Sequence, residues 1–115
     1  MLKVLHNPSC SKSRGILEFL DENGVPFEII DFIAHPLSYT ELRTLVKKLN
    51  VPAEMLLRKN EALFKEKFGQ ETLSEDRCFQ ILAENPSLMQ RPILIKEQIA
   101  MIARPMEVAK LFIED

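Results

Sequence analysis

Residues 2–31 read LKVLHNPSCSKSRGILEFLDENGVPFEIID, and this stretch decides the fold. Apolar and polar residues alternate over the first five positions, which is typical of a short strand, and Asn7-Pro8-Ser9 breaks that pattern. A helix with apolar residues at helical spacing follows and ends at Asn23-Gly24. Residues 26–31 predict a second strand. Because a helix joins the two strands, they should pair in parallel through a right-handed crossover.

The middle of the chain reads as helical. Ser38 and Glu41 form a capping box ahead of an apolar stripe, and the helix that they begin ends at residues 50–52. Three shorter helices are predicted at residues 53–57, 61–67 and 74–84, the last closed by Asn85-Pro86. We expect these helices to form one insertion between strands.

The last part of the chain predicts two more strands, at residues 92–95 and 99–103, joined by only three residues into an antiparallel hairpin. Arg104-Pro105 then opens a final helix. The order of elements predicts an α/β protein of thioredoxin-like fold, with a four-stranded mixed sheet, flanking helices and a helical insertion. At 115 residues the chain is expected to be a single domain over residues 1–115.

Composition narrows the class of function. Apolar residues make up 46% of the chain and charged residues 28%, as in globular proteins, and no apolar run approaches the roughly 20 residues that span a bilayer. The net charge is −2 and the Lys and Arg residues are scattered, so we expect no nucleic-acid partner and no membrane partner. The first residues lack the apolar segment of a secretory signal. A cytoplasmic monomer is therefore expected.

Cys10 is the candidate catalytic residue because it lies where the first loop becomes the first helix. Backbone N–H groups and the positive end of the helix dipole favour a thiolate there. Arg14 is one helical turn further on, Ser13 offers a hydroxyl, and His6 offers a donor or a positive charge. These three residues are predicted to tune the thiolate. The alternative is a buried, inert cysteine.

Cys78 is the second of the two cysteines and lies on a predicted helix beside apolar residues. A packing or surface role is the stronger interpretation, and a disulfide with Cys10 would require the two to meet in space. Two cysteines at this separation provide neither a disulfide framework nor a paired zinc site, so no metal is expected.

Four blocks of sequence carry a resemblance to a known family: residues 6–14 (HNPSCSKSR), 56–60 (LLRKN), 91–93 (RPI) and 104–107 (RPME). In this order they resemble the glutaredoxin-dependent arsenate reductases. The resemblance implies that Cys10 attacks arsenate, that glutathione attacks the resulting adduct, and that glutaredoxin clears the remaining mixed disulfide. It implies no bound cofactor, no metal and no nucleotide, with glutathione as co-substrate.

The resemblance also implies that Arg58, Arg91 and Arg104 bind the oxyanion. Guanidinium groups suit this role because a tetrahedral dianion repels a bare thiolate until several forked donors neutralise and orient it. Taken singly, each arginine is also compatible with a cap, a loop charge or a salt bridge. Thioredoxin-like proteins commonly place a cis proline beside the active cysteine, so Arg91–Pro92 is predicted to be cis. Asn7–Pro8 and Asn85–Pro86 are predicted to be trans.

Two other functions remain open at this point. An Spx-type regulator that binds RNA polymerase shares the scaffold, but its redox switch is Cys-x-x-Cys and this chain has Ser13 at the second position. A glutathione-linked thiol exchanger would need Cys10 and Ser13 without the three arginines. The family's dedicated resistance enzymes have Gly-Thr after the cysteine where this chain has Ser11-Lys12, which leaves room for another thiol substrate.

Overall fold

The computed structural model describes residues 2–7 and 11–103, with the backbone alone at positions 11 and 12. The chain divides into two compact units. One contains the chain up to His35 and from Arg91 onward, and the other is Pro36–Gln90. The expectation of one domain over residues 1–115 stays a prediction, and each unit is described by itself below.

The first unit contains the sheet. Its elements are β1 (Leu2–His6), α1 (Ser11–Glu22), β2 (Phe27–Asp31), β3 (Ile93–Lys96) and β4 (Ile99–Ile102). The strand order is β2-β1-β3-β4. β1 is parallel to β2 and antiparallel to β3, and β3 and β4 form the antiparallel hairpin. The predicted four-stranded mixed sheet is therefore confirmed.

The core of this unit lies between α1 and the sheet. Val4 of β1 and Leu94 of β3 are fully buried together with Ile16 and Leu20 of α1. Burying side chains of this size stabilises a fold by about 1.5–3 kcal/mol each. The chain leaves α1 through Gly24, whose φ of 67° is the left-handed conformation that glycine adopts at little cost. The shared core holds β1 and α1 against each other, and the segment that joins them contains Cys10.

The second unit is helical. It contains α2 (Tyr39–Leu49), α3 (Ala62–Phe68), α4 (Glu75–Glu84) and two 3₁₀ turns at Ala53–Leu56 and Pro86–Leu88. The capping box at the start of α2 is present in both directions, because Glu41 N donates to Ser38 Oγ and Ser38 N donates to Glu41 Oε1. The helical insertion is thus confirmed, with α2 beginning where the sequence predicts it.

Two details of this unit differ from the sequence prediction. Residues 53–56 form a 3₁₀ turn rather than an α-helix, because the extended Leu57 that follows pairs with Met89 in an isolated antiparallel bridge. The second 3₁₀ turn, Pro86–Leu88, was predicted only as a helix end. Both turns flank the bridge, so they shape the loop that carries Arg58.

The proline predictions have separate outcomes. Arg91–Pro92 is cis, as predicted, and Asn85–Pro86 is trans. Asn7–Pro8 and the helix predicted after Arg104 lie outside the described residues. Within the part of the chain that is described, no helix is long and apolar enough to cross a membrane.

Candidate active site

The candidate site begins at the junction between β1 and α1. α1 starts at Ser11, the residue that directly follows Cys10 in the sequence. Cys10 itself and Arg104 are outside the described residues. The first turn of an α-helix presents N–H groups that have no acceptor within the helix, together with the positive end of its dipole. The position of Cys10 at a loop-to-helix junction stays a prediction, because residues 8–10 lie outside the described part of the chain.

Ser13 lies in the first turn of α1 with its side chain fully buried. Its Oγ accepts a hydrogen bond from the backbone N–H of Asn7 at 3.4 Å, and Asn7 is also buried. This contact joins the end of β1 to the start of α1 across the segment that contains Cys10. Ser13 therefore links the described residues on either side of Cys10.

His6 is the last residue of β1 and is only 7% exposed. Burial lowers its pKa below the ordinary value, the positive charge of Arg14 lowers it further, and the Asp31 carboxylate raises it. Its Nδ1 atom is buried and has no hydrogen-bond partner among the residues described. The lowered pKa favours a neutral imidazole at pH 7, so of the two predicted roles the hydrogen-bond donor is favoured over the positive charge.

Arg14 is exposed on α1 and acts on His6 through its charge. Arg14 therefore places a positive charge near the end of β1. Its predicted position on the same helix face as Cys10, four residues earlier, stays a prediction. His6, Ser13 and Arg14 are thus brought together around the β1–α1 junction. Their influence on the Cys10 thiol stays a prediction.

Arg58 lies in the helical unit and is held from several directions. Its backbone N–H donates to Leu88 O at 2.8 Å, its Nη1 donates to Ser87 O at 3.2 Å, and its Nη2 donates to Glu61 Oε1. The Arg58 side chain is 19% exposed. Hydrogen bonds at both terminal nitrogens restrain the plane of the guanidinium. A guanidinium with a restrained plane is suited to donate to a tetrahedral anion in one orientation.

Arg91 belongs to the other unit and directly precedes the cis Pro92. The Arg91 side chain is partly buried, and its Nε atom is buried. The residue before it, Gln90, is tied to the loop of Arg58, because Gln90 N donates to Leu56 O at 2.7 Å and Gln90 Nε2 donates to Leu57 O at 3.3 Å. Both arginines therefore follow backbone that is fixed by hydrogen bonds.

Cys78 is 1% exposed on α4. Burial raises the pKa of its thiol, and the negative charges of Glu54 and Glu75 raise it further. A thiol with a raised pKa stays protonated and unreactive at neutral pH. Of the two roles predicted for Cys78, the structure supports packing.

A family model described as the ArsC family matches residues 5–112. This chain belongs to the ArsC family. It is 33% identical to an arsenate reductase of Neisseria meningitidis over 108 residues, which cover 92% of each chain. It is 42% identical to an uncharacterized Escherichia coli protein, YfgD, over 92% of this chain and 91% of that protein.

Solved structures of ArsC-family relatives have the same fold. An arsenate reductase from Vibrio cholerae superposes with a TM-score of 0.86 at 35% identity, covering 93% of this chain and 92% of that one. The mixed sheet with flanking helices is therefore the thioredoxin-like fold predicted from the sequence. The ArsC match spans Cys10 and all three predicted arginines, whose roles stay predictions.

Two residues that act on predicted site residues, one in each unit, were missed in the sequence. Asp31 ends β2 directly opposite His6, and Glu61 receives the guanidinium of Arg58. Parallel pairing of β1 and β2 brings the carboxyl ends of both strands to one edge, so Asp31 was predictable from topology. Glu61 is three residues after Arg58, a spacing at which a tight turn returns a side chain to its neighbour. No three His, Cys, Asp or Glu residues within 2–7 and 11–103 are grouped to hold a metal ion.

Proposed function

We propose that this protein reduces arsenate to arsenite through a Cys10–arsenate adduct, with glutathione and glutaredoxin as electron donors. The observation that carries this proposal is the ArsC-family match over residues 5–112, which includes Cys10, Arg58, Arg91 and Arg104. Relatives named arsenate reductase, such as that of Neisseria meningitidis, support the choice of substrate. The proposed setting is the cytoplasm, with the protein acting as a monomer.

The reaction balances with two thiols. The Cys10 thiolate attacks arsenic(V), an S–As bond forms, and one arsenate oxygen leaves as water. Glutathione thiolate then attacks the Cys10 sulfur, an S–S bond forms, and the S–As bond breaks with its electron pair on arsenic, which leaves as arsenite. Glutaredoxin reduces the Cys10–glutathione disulfide by thiol exchange. Both electrons therefore come from sulfur.

The described residues support this use of an external thiol. Cys78 is the only other cysteine of the sequence, and it is buried with a raised pKa, which makes it a poor resolving thiol. Glutathione therefore supplies the second sulfur in the proposal. Arg14 and the start of α1 favour the Cys10 thiolate, while neutral His6 donates a hydrogen bond.

The three arginines neutralise and orient the substrate in this proposal. Arsenate carries up to two negative charges near neutral pH, and it must come close to a thiolate. Guanidinium groups donate in pairs to two oxygens of one anion, which turns arsenic toward sulfur and stabilises negative charge as the S–As bond forms. The hydrogen bonds from the Arg58 guanidinium to Ser87 O and Glu61 Oε1 fit this role.

The proposal is tested by measuring arsenite formation from arsenate with glutathione, glutaredoxin or both present. Arsenite should form only when both thiol donors are supplied. Arg58→Ala should raise KM for arsenate about tenfold or more, since one charge-assisted contact is lost. Arg77→Ala removes a partly buried arginine of the same unit that pairs with Glu71, and it should leave KM unchanged. Absence of arsenite with both donors present would overturn the proposal.

A further inference from the structure

We propose that Glu61 is a positioning residue that holds the guanidinium of Arg58 in the orientation that binds the oxyanion. The inference rests on the proposed function, because it assigns Arg58 to arsenate. It adds a residue that neither the sequence motifs nor the ArsC-family match singles out. Glu61 does not touch the substrate in this proposal and acts only through Arg58.

The local geometry supports a positioning role. Glu61 Oε1 receives Nη2 of Arg58, and Ser87 O receives Nη1. The backbone N–H of Glu61 donates to Arg58 O at 3.1 Å, which closes a tight turn and returns the carboxylate to the guanidinium. The terminal nitrogens are thus held by a fixed backbone carbonyl and by a carboxylate on the same turn.

The start of α3 supplies an independent observation. Glu61 occupies the N-cap position of α3, yet its side chain makes no capping hydrogen bond. Ser, Thr, Asp and Asn are the residues that cap helices well. The Glu61 side chain is directed to Arg58 and does not cap the helix. Glutamate at this position therefore adds little to the stability of α3, whereas it can hold the guanidinium of Arg58.

Holding an arginine before the ligand arrives has a predictable benefit. A long side chain that is ordered on binding loses rotamer freedom, and that loss weakens affinity. An arginine already fixed by Glu61 and Ser87 loses less. Removing the Glu61 carboxylate should therefore weaken arsenate binding about three- to tenfold without changing the chemical step.

The test measures arsenate affinity by calorimetry in a Cys10→Ser background, where turnover is blocked, together with kcat and KM in the active protein. Glu61→Ala should raise Kd and KM about three- to tenfold with kcat unchanged. Glu61→Gln keeps an oxygen acceptor for Nη2, so it should remain within about twofold of the parent protein. Glu61→Ser restores an N-cap, so it should melt at or above the parent temperature and still bind like Glu61→Ala.

A matched control lies in the same loop. Glu54 pairs with Lys59 and is 46% exposed, similar to the 42% of Glu61, so Glu54→Ala breaks a comparable ion pair without touching Arg58. It should leave arsenate affinity unchanged. In an Arg58→Ala background, Glu61→Ala should change Kd by less than about twofold, because Glu61 acts on arsenate only through the Arg58 guanidinium, which is absent there.

The outcomes separate the positioning role from its alternatives. Tighter arsenate binding in both Glu61→Ala and Glu61→Gln would mean that the carboxylate competes with the anion for Arg58, and that result overturns the proposal. Equal losses in Glu61→Ala and Glu54→Ala would also overturn it. Arsenate binding without any turnover in the parent protein removes the proposed function while the Kd series still decides the role of Glu61. No arsenate binding by the parent protein removes both.

Discussion

His6 and Asp31 lie directly opposite each other at the carboxyl ends of the parallel strands β1 and β2. The Asp31 carboxylate is fixed there, because its Oδ1 accepts hydrogen bonds from the backbone N–H groups of Ile33 and Ala34, both at 3.0 Å. The pKa of the buried His6 imidazole, four residues before Cys10, is therefore raised by the Asp31 carboxylate and lowered by the exposed Arg14. Burial lowers the pKa of His6 most, and these two charges modify that pKa in opposite directions.

The first prediction concerns the two charges beside His6. Asp31→Asn removes the group that raises the pKa of His6, so that pKa should fall further below its ordinary value. Arg14→Gln removes a group that lowers it, so the pKa should rise. NMR titration of the His6 ring measures both. Shifts in the same direction for the two variants would contradict this assignment of charges.

The second prediction concerns stability against pH. Burial lowers the pKa of His6 in the folded state below the value of 6.5 that it has when exposed, so the unfolded state takes up a proton at higher pH than the folded state. Above about pH 6.5, His6 is neutral in both states and does not lower the free energy of unfolding. As the pH falls below this value, the unfolded state gains the proton first, so the free energy of unfolding decreases. The slope from one group is at most about 1.4 kcal/mol per pH unit.

His6→Asn should accordingly flatten the fall in unfolding free energy between pH 6.5 and pH 5, measured by urea denaturation. His35→Asn is the matched control, because His35 is the other histidine and is exposed. An unchanged slope in His6→Asn, or an equal flattening in His35→Asn, would show that His6 is not the buried titrating group.

The fold was predictable wherever one local pattern decided it. Ser38 followed by Glu41 predicted the start of α2, and Asn23-Gly24 predicted the end of α1, because capping geometry depends on a few adjacent residues. The parallel pairing of β1 and β2 followed from the helix between them. The 3₁₀ form of Ala53–Leu56 was not predictable, since it depends on the bridge between Leu57 and Met89, which are far apart in sequence.

The candidate site was predictable in its charged residues and less so in their partners. The sequence blocks singled out Arg58 and Arg91, helical spacing singled out Ser13 and Arg14, and the roles of all four stay predictions. The neutral state favoured for His6 could not be predicted from the sequence, because it depends on the burial of His6 at the end of a central strand. Glu61 was missed because a glutamate beside an arginine in a polar loop is usually a weak surface pair.

The third prediction tests the capping box. Ser38→Ala removes the acceptor of the Glu41 N–H, a bond of 3.1 Å, so the free energy of unfolding should fall by about 1 kcal/mol. Thr44→Ala is a control within the same helix, because the Thr44 hydroxyl bonds only back to Thr40 O among the contacts described. It should cost less than Ser38→Ala. Equal losses in chemical denaturation would contradict the capping assignment.

The fourth prediction concerns the proposed effect of Arg14 on the pKa of the Cys10 thiol. Because Arg14 is charged and His6 is favoured as neutral, Arg14→Gln should raise the pKa of Cys10 more than His6→Gln does. The rate of iodoacetamide alkylation against pH measures this in a Cys78→Ala background. Identical curves for the parent protein and Arg14→Gln would remove the proposed role of Arg14.

The central claim is that Cys10 is the nucleophile that attacks arsenate. It is tested most directly by following arsenate-dependent oxidation of NADPH through glutathione reductase, glutathione and glutaredoxin in two single-cysteine variants. Cys10→Ser should abolish arsenate-dependent oxidation, while Cys78→Ala should retain it, because Cys78 is buried with a raised pKa. Arsenate-dependent oxidation that persists in Cys10→Ser, or is lost only in Cys78→Ala, would contradict the account.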